Sequence, residues 1–447
     1  MTLTTTPVRS TAAPSVPVRP PAPAGRPAVA RLPEASGRSD RQRLGRDGFV
    51  DAIRAVGLGA VVALHWLMAE ATWDGSTLRL GNALGHGAGW TATWLQTLPL
   101  LFLAAGAAAA YRSARTSGLP GRWWRALGGG VLGAARPVVV LLGVWALAVV
   151  AMLAVGVPDD AVGRLARMVP QPLWFLGVWV VLVALAPVLQ RAWRRWRWGA
   201  AAVVVALPLA VDALRFGAGL DGPAGANVLL AWAVPFGAGV AYATDRRDGR
   251  RAVPHGRMLL VAGALAALAG AVLLIAVGPY PASLIGMPGA EISNLAPPTA
   301  PVVLHAVAMA CLALAVRPAL VRWAGGAGRG AVRSLSQRSM TVYLWHLTAM
   351  FAVVGAVLLG LGQRLPEPWS TDWWASRPVW FGAALLVLAG LVRLFGRLET
   401  SRAGTTDAPT GTDRSGRREG ARTPWVRSSS RRSTRRARRS RSRSPRW

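Results

Sequence analysis

Residues 49–65 read Phe-Val-Asp-Ala-Ile-Arg-Ala-Val-Gly-Leu-Gly-Ala-Val-Val-Ala-Leu-His, an apolar run with Arg54 near its start and His65 at its end. Eleven residues separate the two, so on an α-helix they lie within roughly 20° of one face and about 16 Å apart along the axis. We expect Arg54 at a membrane boundary and His65 near the middle of a hydrocarbon core about 30 Å thick. Ionisable groups at that depth are costly and usually functional.

Composition places this run in a membrane protein. The chain of 447 residues is 53% hydrophobic with a mean hydropathy of +0.36, and apolar runs long enough to span a bilayer recur from about Ala52 to about Phe395. A soluble chain of this length cannot bury so much apolar surface. The sequence predicts an all-α integral membrane bundle of about ten helices, at approximately residues 50–70, 92–111, 129–156, 172–189, 198–214, 226–243, 257–278, 299–316, 336–361 and 377–396.

The net charge of +32 comes from arginine alone, since the chain has no lysine, and much of it lies in two tails. We expect disordered tails at residues 1–45 and 397–447 on either side of a membrane domain at 46–396. The C-terminal tail is rich in Arg and Ser, as in some RNA-binding segments, but it has no folded RNA module beside it. The sequence therefore favours contact with anionic membrane lipid over nucleic acid.

Arginines in the loops indicate the topology. Eighteen follow the second, fourth, sixth and eighth predicted helices, against six in the alternating loops. The positive-inside rule then places the arginine-rich loops and both termini in the cytoplasm, with the protein multi-pass in the plasma membrane.

Arg54 and His65 suggest a reaction. An imidazole can act as a base or as a nucleophile near neutral pH, and a guanidinium binds phosphate or carboxylate through its planar fork. Asp51 precedes Arg54 by three residues, within reach of an ion pair. The pattern fits a phosphate-bearing donor held at the surface with its reactive end near His65. It equally fits a histidine bonded within its own helix and an arginine whose head reaches the interface.

The ninth predicted helix carries Tyr343-Leu344-Trp345-His346, with His346 eight residues, or about 12 Å, beyond Arg338. A second histidine thus reaches a depth comparable to that of His65. Only the fold decides whether the helix face that carries His65 meets the one that carries His346.

These residues resemble the acyltransferase-3 family of membrane acyltransferases, in an actinobacterial-type branch. The resemblance covers about residues 46–396 and rests on the order of several weak motifs: Asp51-x-x-Arg54 with ten residues before His65, Leu98-Pro99-Leu100-Leu101-Phe102-Leu103 with Gly106, Arg136-Pro137, Leu173-Trp174-Phe175-Leu176, and Tyr343-Leu344-Trp345-His346. Ala105 departs from the serine that many members carry before the glycine.

The resemblance implies transfer of an acyl group, often acetyl, from cytoplasmic acyl-CoA to a hydroxyl of a carbohydrate, glycolipid or secreted metabolite. It implicates the Arg54–His65 pair in activity, with His65 as base or as acyl carrier. It makes Asp51, Arg54, Arg136, Trp345 and His346 candidates for substrate binding. Acyl-CoA would be a substrate, and no permanently bound cofactor or metal is expected.

A transporter or flippase for a glycan or small metabolite is the alternative, with His65 and His346 in a proton relay. Many transporters carry internal repeats, and none is evident here. A membrane scaffold leaves the intramembrane Arg and His unexplained. The Pro-rich stretch Gly278–Pro298 is either a rigid connector or the lining of an acceptor entrance. His305 and Cys311 are expected to be packed residues of the core.

Overall fold

A computed structural model describes residues 47–74, 77–116, 121–250 and 256–400. The predictions for the tail residues 1–45 and 401–447 lie outside these ranges. The helices of the described ranges are α1 (Gly48–Met68), α2 (Leu98–Thr116), α3 (Arg122–Ala154), α4 (Asp159–Met168), α5 (Leu173–Trp196), α6 (Trp198–Ala218), α7 (Asn227–Arg247), α8 (Arg257–Val277), α9 (Ala300–Ala315), α10 (Arg317–Gly325), α11 (Arg329–Gln337), α12 (Ser339–Gly355), α13 (Thr371–Phe395) and α14 (Arg397–Thr400).

The prediction of an all-α bundle of about ten spans is confirmed. Within the described ranges, nine helical segments are long and apolar enough to cross a membrane, and the pair α9 and α10, bent by 60°, makes a tenth if it counts as one span. The predicted ninth helix, 336–361, corresponds to the span Ser339–Gly360, and a break at Arg338 separates it from the short helix α11. A π-helical turn, Ala356–Gly360, follows α12.

The centre of the bundle is a close contact between α2 and α7. A Cβ on Gly106 of α2 would lie 2.0 Å from the carbonyl oxygen of Phe236, and one on Gly239 of α7 would lie 2.0 Å from that of Leu103. Glycine at both positions lets the two backbones touch, as small residues commonly do between membrane helices. In the most apolar part of the segment that contains α2, 72% of the window is buried inside the protein, whereas the corresponding share is 11% for α3 and for α6. The helices α3 and α6 therefore form the rim that lipid would cover.

We call the end of the bundle where α1 begins the arginine end. Asp47 caps α1 there, and its Oδ2 accepts hydrogen bonds from the hydroxyls of Tyr111 (2.7 Å) and Tyr242 (3.0 Å). Arg246 Nε lies 3.4 Å from the same oxygen, and Arg317 Nε donates to the Tyr242 hydroxyl at 3.1 Å. This network joins α1, α2, α7 and α10.

The opposite end, which we call the hairpin end, carries a small antiparallel hairpin of strands β1 (Ala69–Trp73) and β2 (Leu78–Asn82). The strands are not predictable from the sequence, because a two-stranded hairpin leaves little signal beside ten apolar helices. Two short 3-10 turns, Ala83–Gly85 and Gly89–Leu95, connect the hairpin to α2.

The Pro-rich stretch Gly278–Pro298 folds back on itself at the hairpin end. The buried amide of Asn294 donates to the carbonyls of Pro281 (2.7 Å) and Ser283 (2.8 Å), and the backbone N–H of Leu284 donates to Thr93 Oγ1 (3.0 Å). These bonds make the stretch an ordered cap, consistent with a rigid connector.

Asp212 of α6 anchors the same cap. It accepts a hydrogen bond from the Tyr280 hydroxyl at 2.7 Å and another from the backbone N–H of Ala300 at 2.8 Å. Burial, together with the bond to Asp212, raises the pKa of Tyr280 above its ordinary value. The phenol therefore stays protonated and continues to donate.

Candidate active site

The two histidines meet. The rings of His65 on α1 and His346 on α12 have centroids 4.9 Å apart and planes inclined by 68°. Trp66 holds the two helices in register, because its Nε1–H donates to the backbone carbonyl of His346 at 3.0 Å. Trp380 Nε1–H donates in turn to the carbonyl of Trp66 at 3.0 Å. His65 lies in the last turn of α1, nearer the hairpin end than the expected mid-membrane position.

Hydrogen bonds to the backbone define the basic atom of each ring. His65 Nδ1 lies 2.8 Å from the carbonyl oxygen of Val61, and His346 Nδ1 lies 2.6 Å from that of Tyr343. A carbonyl oxygen only accepts, so each Nδ1 carries the proton and each Nε2 presents a lone pair. His346 Nε2 is buried and has no hydrogen-bond partner in the described part of the chain. Both imidazoles are thus arranged as bases.

A cavity of about 370 Å³ lies between α1, α2, α3, α5 and α12. Its volume is in the range of small-molecule sites, and its wall is mainly apolar. Arg54 of α1 and Arg112 of α2 line it at the arginine end. Tyr343 lines it towards the histidines, with its ring centroid 5.9 Å from that of His346. The cavity therefore begins at two cations and ends one aromatic ring short of the histidine pair.

Helical periodicity explains which side chains face the cavity. On α1, Arg54 and Leu58 line it, and His65 continues the same face. On α2, a single stripe at intervals of four, three and four residues lines it: Leu101, Ala105, Ala108 and Arg112. Ala105, the departure from the family pattern, faces this space, so a serine there would add a hydroxyl to the wall.

Arg112 is a site residue that the sequence motifs did not indicate. It was counted only among the loop arginines that indicated topology, although its spacing of eleven residues from Leu101 on one helix face repeats that of Arg54 and His65. Arg112 is half-buried, and its charge interacts with that of Arg54 across the cavity. Arg54 also forms the expected contact with Asp51, with Nη1 at 3.5 Å from Oδ1.

Of the predicted site residues Arg54 lines the cavity, whereas Arg136 and Trp345 lie apart from both the cavity and the histidine pair. Arg136 is exposed on α3, although its neighbours Ala134 and Pro137 line the cavity wall. Trp345 is 1% exposed, and its ring stacks on Phe395 with centroids 4.1 Å apart and planes inclined by 2°. Their roles in binding stay predictions, and the contacts of Trp345 are those of a packing residue.

Glu399 reaches the cavity from beyond the expected end of the membrane domain. The described chain continues as α14, where disorder was predicted from Arg397 onwards. The carboxylate of Glu399 accepts hydrogen bonds from the backbone N–H groups of Met340 (3.1 Å) and Thr341 (3.1 Å) and from Thr341 Oγ1 (2.8 Å). It thereby stabilises the positive N-terminal end of α12, the helix that carries His346.

The other polar candidates have different partners. Glu70, five residues beyond His65, contacts His86 Nε2 at 3.0 Å. His305 is buried, with Nε2 3.0 Å from the carbonyl oxygen of Trp94. Among the described residues, no group of three or more His, Cys, Asp and Glu side chains is arranged to hold a metal ion.

Comparison with known protein families identifies one match. Residues 47–395, which are most of the chain, match the family model of the acyltransferase 3 domain. The comparisons with curated proteins and with solved structures found no match.

Proposed function

The chain belongs to the acyltransferase 3 family, and we propose that it is a membrane O-acyltransferase that uses acyl-CoA, with acetyl-CoA as the expected donor. The acceptor is a hydroxyl of a carbohydrate, glycolipid or secreted metabolite. One observation carries the proposal: an apolar cavity leads from Arg54 and Arg112 towards two histidines whose Nδ1 atoms bond to the backbone, which leaves the Nε2 lone pairs as the basic positions.

The donor fits this cavity in one direction. Its phosphates would bind the guanidinium groups of Arg54 and Arg112, because a planar fork suits phosphate oxygens. Its uncharged arm would lie along the apolar wall past Leu58, and its thioester would reach the histidines once the ring of Tyr343, which separates the cavity from them, moves aside. The axial distance of about 16 Å from Arg54 to His65 gives the required reach.

His65 is proposed as the general base. Its Nε2 takes the proton of the acceptor hydroxyl while the hydroxyl oxygen attacks the thioester carbonyl carbon. The carbon–sulfur bond then breaks, the acyl ester is formed, and the CoA thiolate receives the proton from His65. The lone pair of His346, whose ring centroid lies 4.9 Å from that of His65, would stabilise the protonated form of His65.

The orientation in the membrane follows from the donor. Acyl-CoA is cytoplasmic, so the arginine end would face the cytoplasm in the plasma membrane with both termini inside, in agreement with the positive-inside rule. Within the family, the Pro-rich stretch Gly278–Pro298 looks similar to a segment of actinobacterial members, and we propose on that basis that the chain belongs to an actinobacterial-type branch.

The test uses the full-length protein in nanodiscs with radiolabelled acetyl-CoA, with CoA release and label transfer measured against a panel of sugars and glycolipids. Wild type is compared with His65→Ala and His346→Ala. His86→Ala is the matched control, because His86 is half-exposed at the hairpin end and paired with Glu70. Loss of general base catalysis should lower turnover by about 10²–10⁴-fold in His65→Ala, with His86→Ala unchanged.

Full activity of His65→Ala would contradict its role as base. Accumulation of labelled protein before acceptor is added, dependent on His65, would indicate the covalent role instead. Absence of CoA release with acetyl-CoA and longer acyl-CoAs, in folded protein, would contradict acyl transfer and favour transport. Arg54→Ala should weaken use of the donor, and Arg54→Lys should restore little, since a point charge lacks the fork.

A further inference from the structure

Arg377 is a buried cation at the hairpin end. It lies in the second turn of α13 and is 7% exposed. Its guanidinium carbon lies 4.3 Å from the ring centroid of Trp373 and 5.2 Å from that of Trp380. Two aromatic faces thus hold the charge in a cation–π arrangement.

The hydrogen bonds of Arg377 leave one side of the fork unused. Nε donates to the carbonyl of Trp373 at 3.1 Å, and Nη2 donates to Ser376 Oγ at 3.3 Å. Nη1 is buried without a hydrogen-bond partner, and no carboxylate pairs with Arg377 among the described residues. A buried charge without a counter-charge is costly, and in membrane segments it usually marks a functional site.

A second arginine at the same end shows the ordinary arrangement. Arg215 also lies against an aromatic ring, with its guanidinium carbon 4.7 Å from the centroid of Phe216. However, its Nε contacts Asp221 Oδ1 at 3.2 Å, so its charge is compensated. Arg377 has the aromatic support without the carboxylate.

Arg377 is connected to the histidine pair through two tryptophans. Trp380, which contacts the guanidinium, donates to the carbonyl of Trp66, and Trp66 donates to the carbonyl of His346. The donor cavity approaches the histidines from the arginine end, whereas Arg377 belongs to the hairpin end. It therefore lies on the side from which a second substrate would approach.

We propose that Nη1 of Arg377 binds the anionic oxygens of a carboxylate or phosphate carried by the acceptor, beside the hydroxyl that His65 deprotonates. The identification of the ligand as the acceptor rests on the proposed function, whereas anion binding by Arg377 does not. The inference narrows the acceptor from any hydroxyl compound to an acidic one, such as a sugar acid or a phosphate-bearing lipid or metabolite.

The test measures binding without catalysis. Purified full-length protein in neutral detergent is melted in the presence of glucuronate, inorganic phosphate, glucose, or potassium chloride at matched ionic strength. Wild type is compared with Arg377→Met, Arg377→Lys and the control Arg215→Met. A parallel series in nanodiscs with and without anionic lipid shows whether a lipid headgroup is the source of the anion.

Glucuronate, phosphate or anionic lipid should raise the melting temperature of wild type and Arg215→Met by several degrees, with no shift in Arg377→Met. Arg377→Lys should need at least tenfold more anion for half of the effect, because it lacks the fork. Which anion acts identifies the source.

The inference would be overturned if anions raised the melting temperature of Arg377→Met as much as that of wild type. It would also be overturned if no anion raised the melting temperature of wild type. The wild-type titration can overturn it alone, even if Arg377→Met does not fold. Anion binding without CoA release from acetyl-CoA would preserve this site while the acyltransferase proposal failed.

Discussion

Gly106→Ala tests the contact between α2 and α7. An added Cβ would lie 2.0 Å from the carbonyl oxygen of Phe236, whereas ordinary contacts begin at 3.4 Å, so the helices must separate locally by about 1.4 Å. Overpacking of this kind costs about 1–3 kcal/mol, and a radial gap of 0.5–1 Å already forfeits a quarter to a half of each dispersion contact it opens. We therefore expect Gly106→Ala to lower the free energy of unfolding by about 3 kcal/mol.

The assay is thermal unfolding of the purified protein in detergent, with the folded fraction measured by size exclusion after heating. Gly143→Ala in α3 is the matched control, because nothing lies within 4 Å of its Cβ position. There the gain in helix propensity should leave stability unchanged or raised by up to about 1 kcal/mol. Gly106→Ala should also lower activity, because α2 carries Arg112.

Gly239→Ala extends the test to the other side of the contact. Its Cβ would meet the carbonyl oxygen of Leu103 at 2.0 Å, so a single separation of the helices relieves both clashes. The double variant should therefore lose clearly less stability than the sum of the two single variants. The argument would be refuted if Gly106→Ala unfolded at the same temperature as wild type. It would also be refuted if the stability lost by the double variant equalled the sum of the losses of the two single variants.

Three further outcomes are expected. In a background lacking the native cysteine, membrane-impermeant maleimide applied to intact cells should label Ala88→Cys at the exposed hairpin end and not Arg195→Cys at the arginine end; the reverse pattern would invert the topology. Arg112→Ala should raise KM for acyl-CoA about tenfold or more with little change in kcat, because it removes a phosphate contact made in ground and transition state alike; a larger effect of Arg136→Ala would assign the donor to that exposed arginine instead. Trp345→Ala should cost about 3–5 kcal/mol through loss of a buried aromatic stack, measured by the same unfolding assay; lost donor binding at unchanged stability would make Trp345 a substrate residue after all.

Local features of the chain were predictable from sequence. Hydropathy and length indicated the spans, because every membrane helix satisfies its own backbone hydrogen bonds and needs about twenty apolar residues whatever its neighbours. The break at Arg338 and the β1–β2 hairpin were not foreseen, since neither changes the hydropathy pattern enough to be read.

For the candidate site, the sequence predicted only how residues of the same helix lie relative to one another. The common face of Arg54 and His65 follows from 3.6 residues per turn, and the Asp51–Arg54 contact follows from a spacing of three. Trp345 is a candidate for substrate binding because it belongs to the family-like stretch Tyr343-Leu344-Trp345-His346. Successive helical residues point about 100° apart, however, and Trp345 packs on Phe395 instead.

The sequence by itself determined an all-helical membrane protein with arginine and histidine on one face of α1, because periodicity and hydropathy act within a segment. The tertiary structure alone decided that Trp66 binds the carbonyl of His346, 280 residues away, and so brings the two histidines together. It likewise decided that Arg112 joins Arg54 and that Arg377 has no carboxylate beside it among the described residues. Such contacts depend on which helices pack together and at what rotation, and no spacing along one chain segment encodes either.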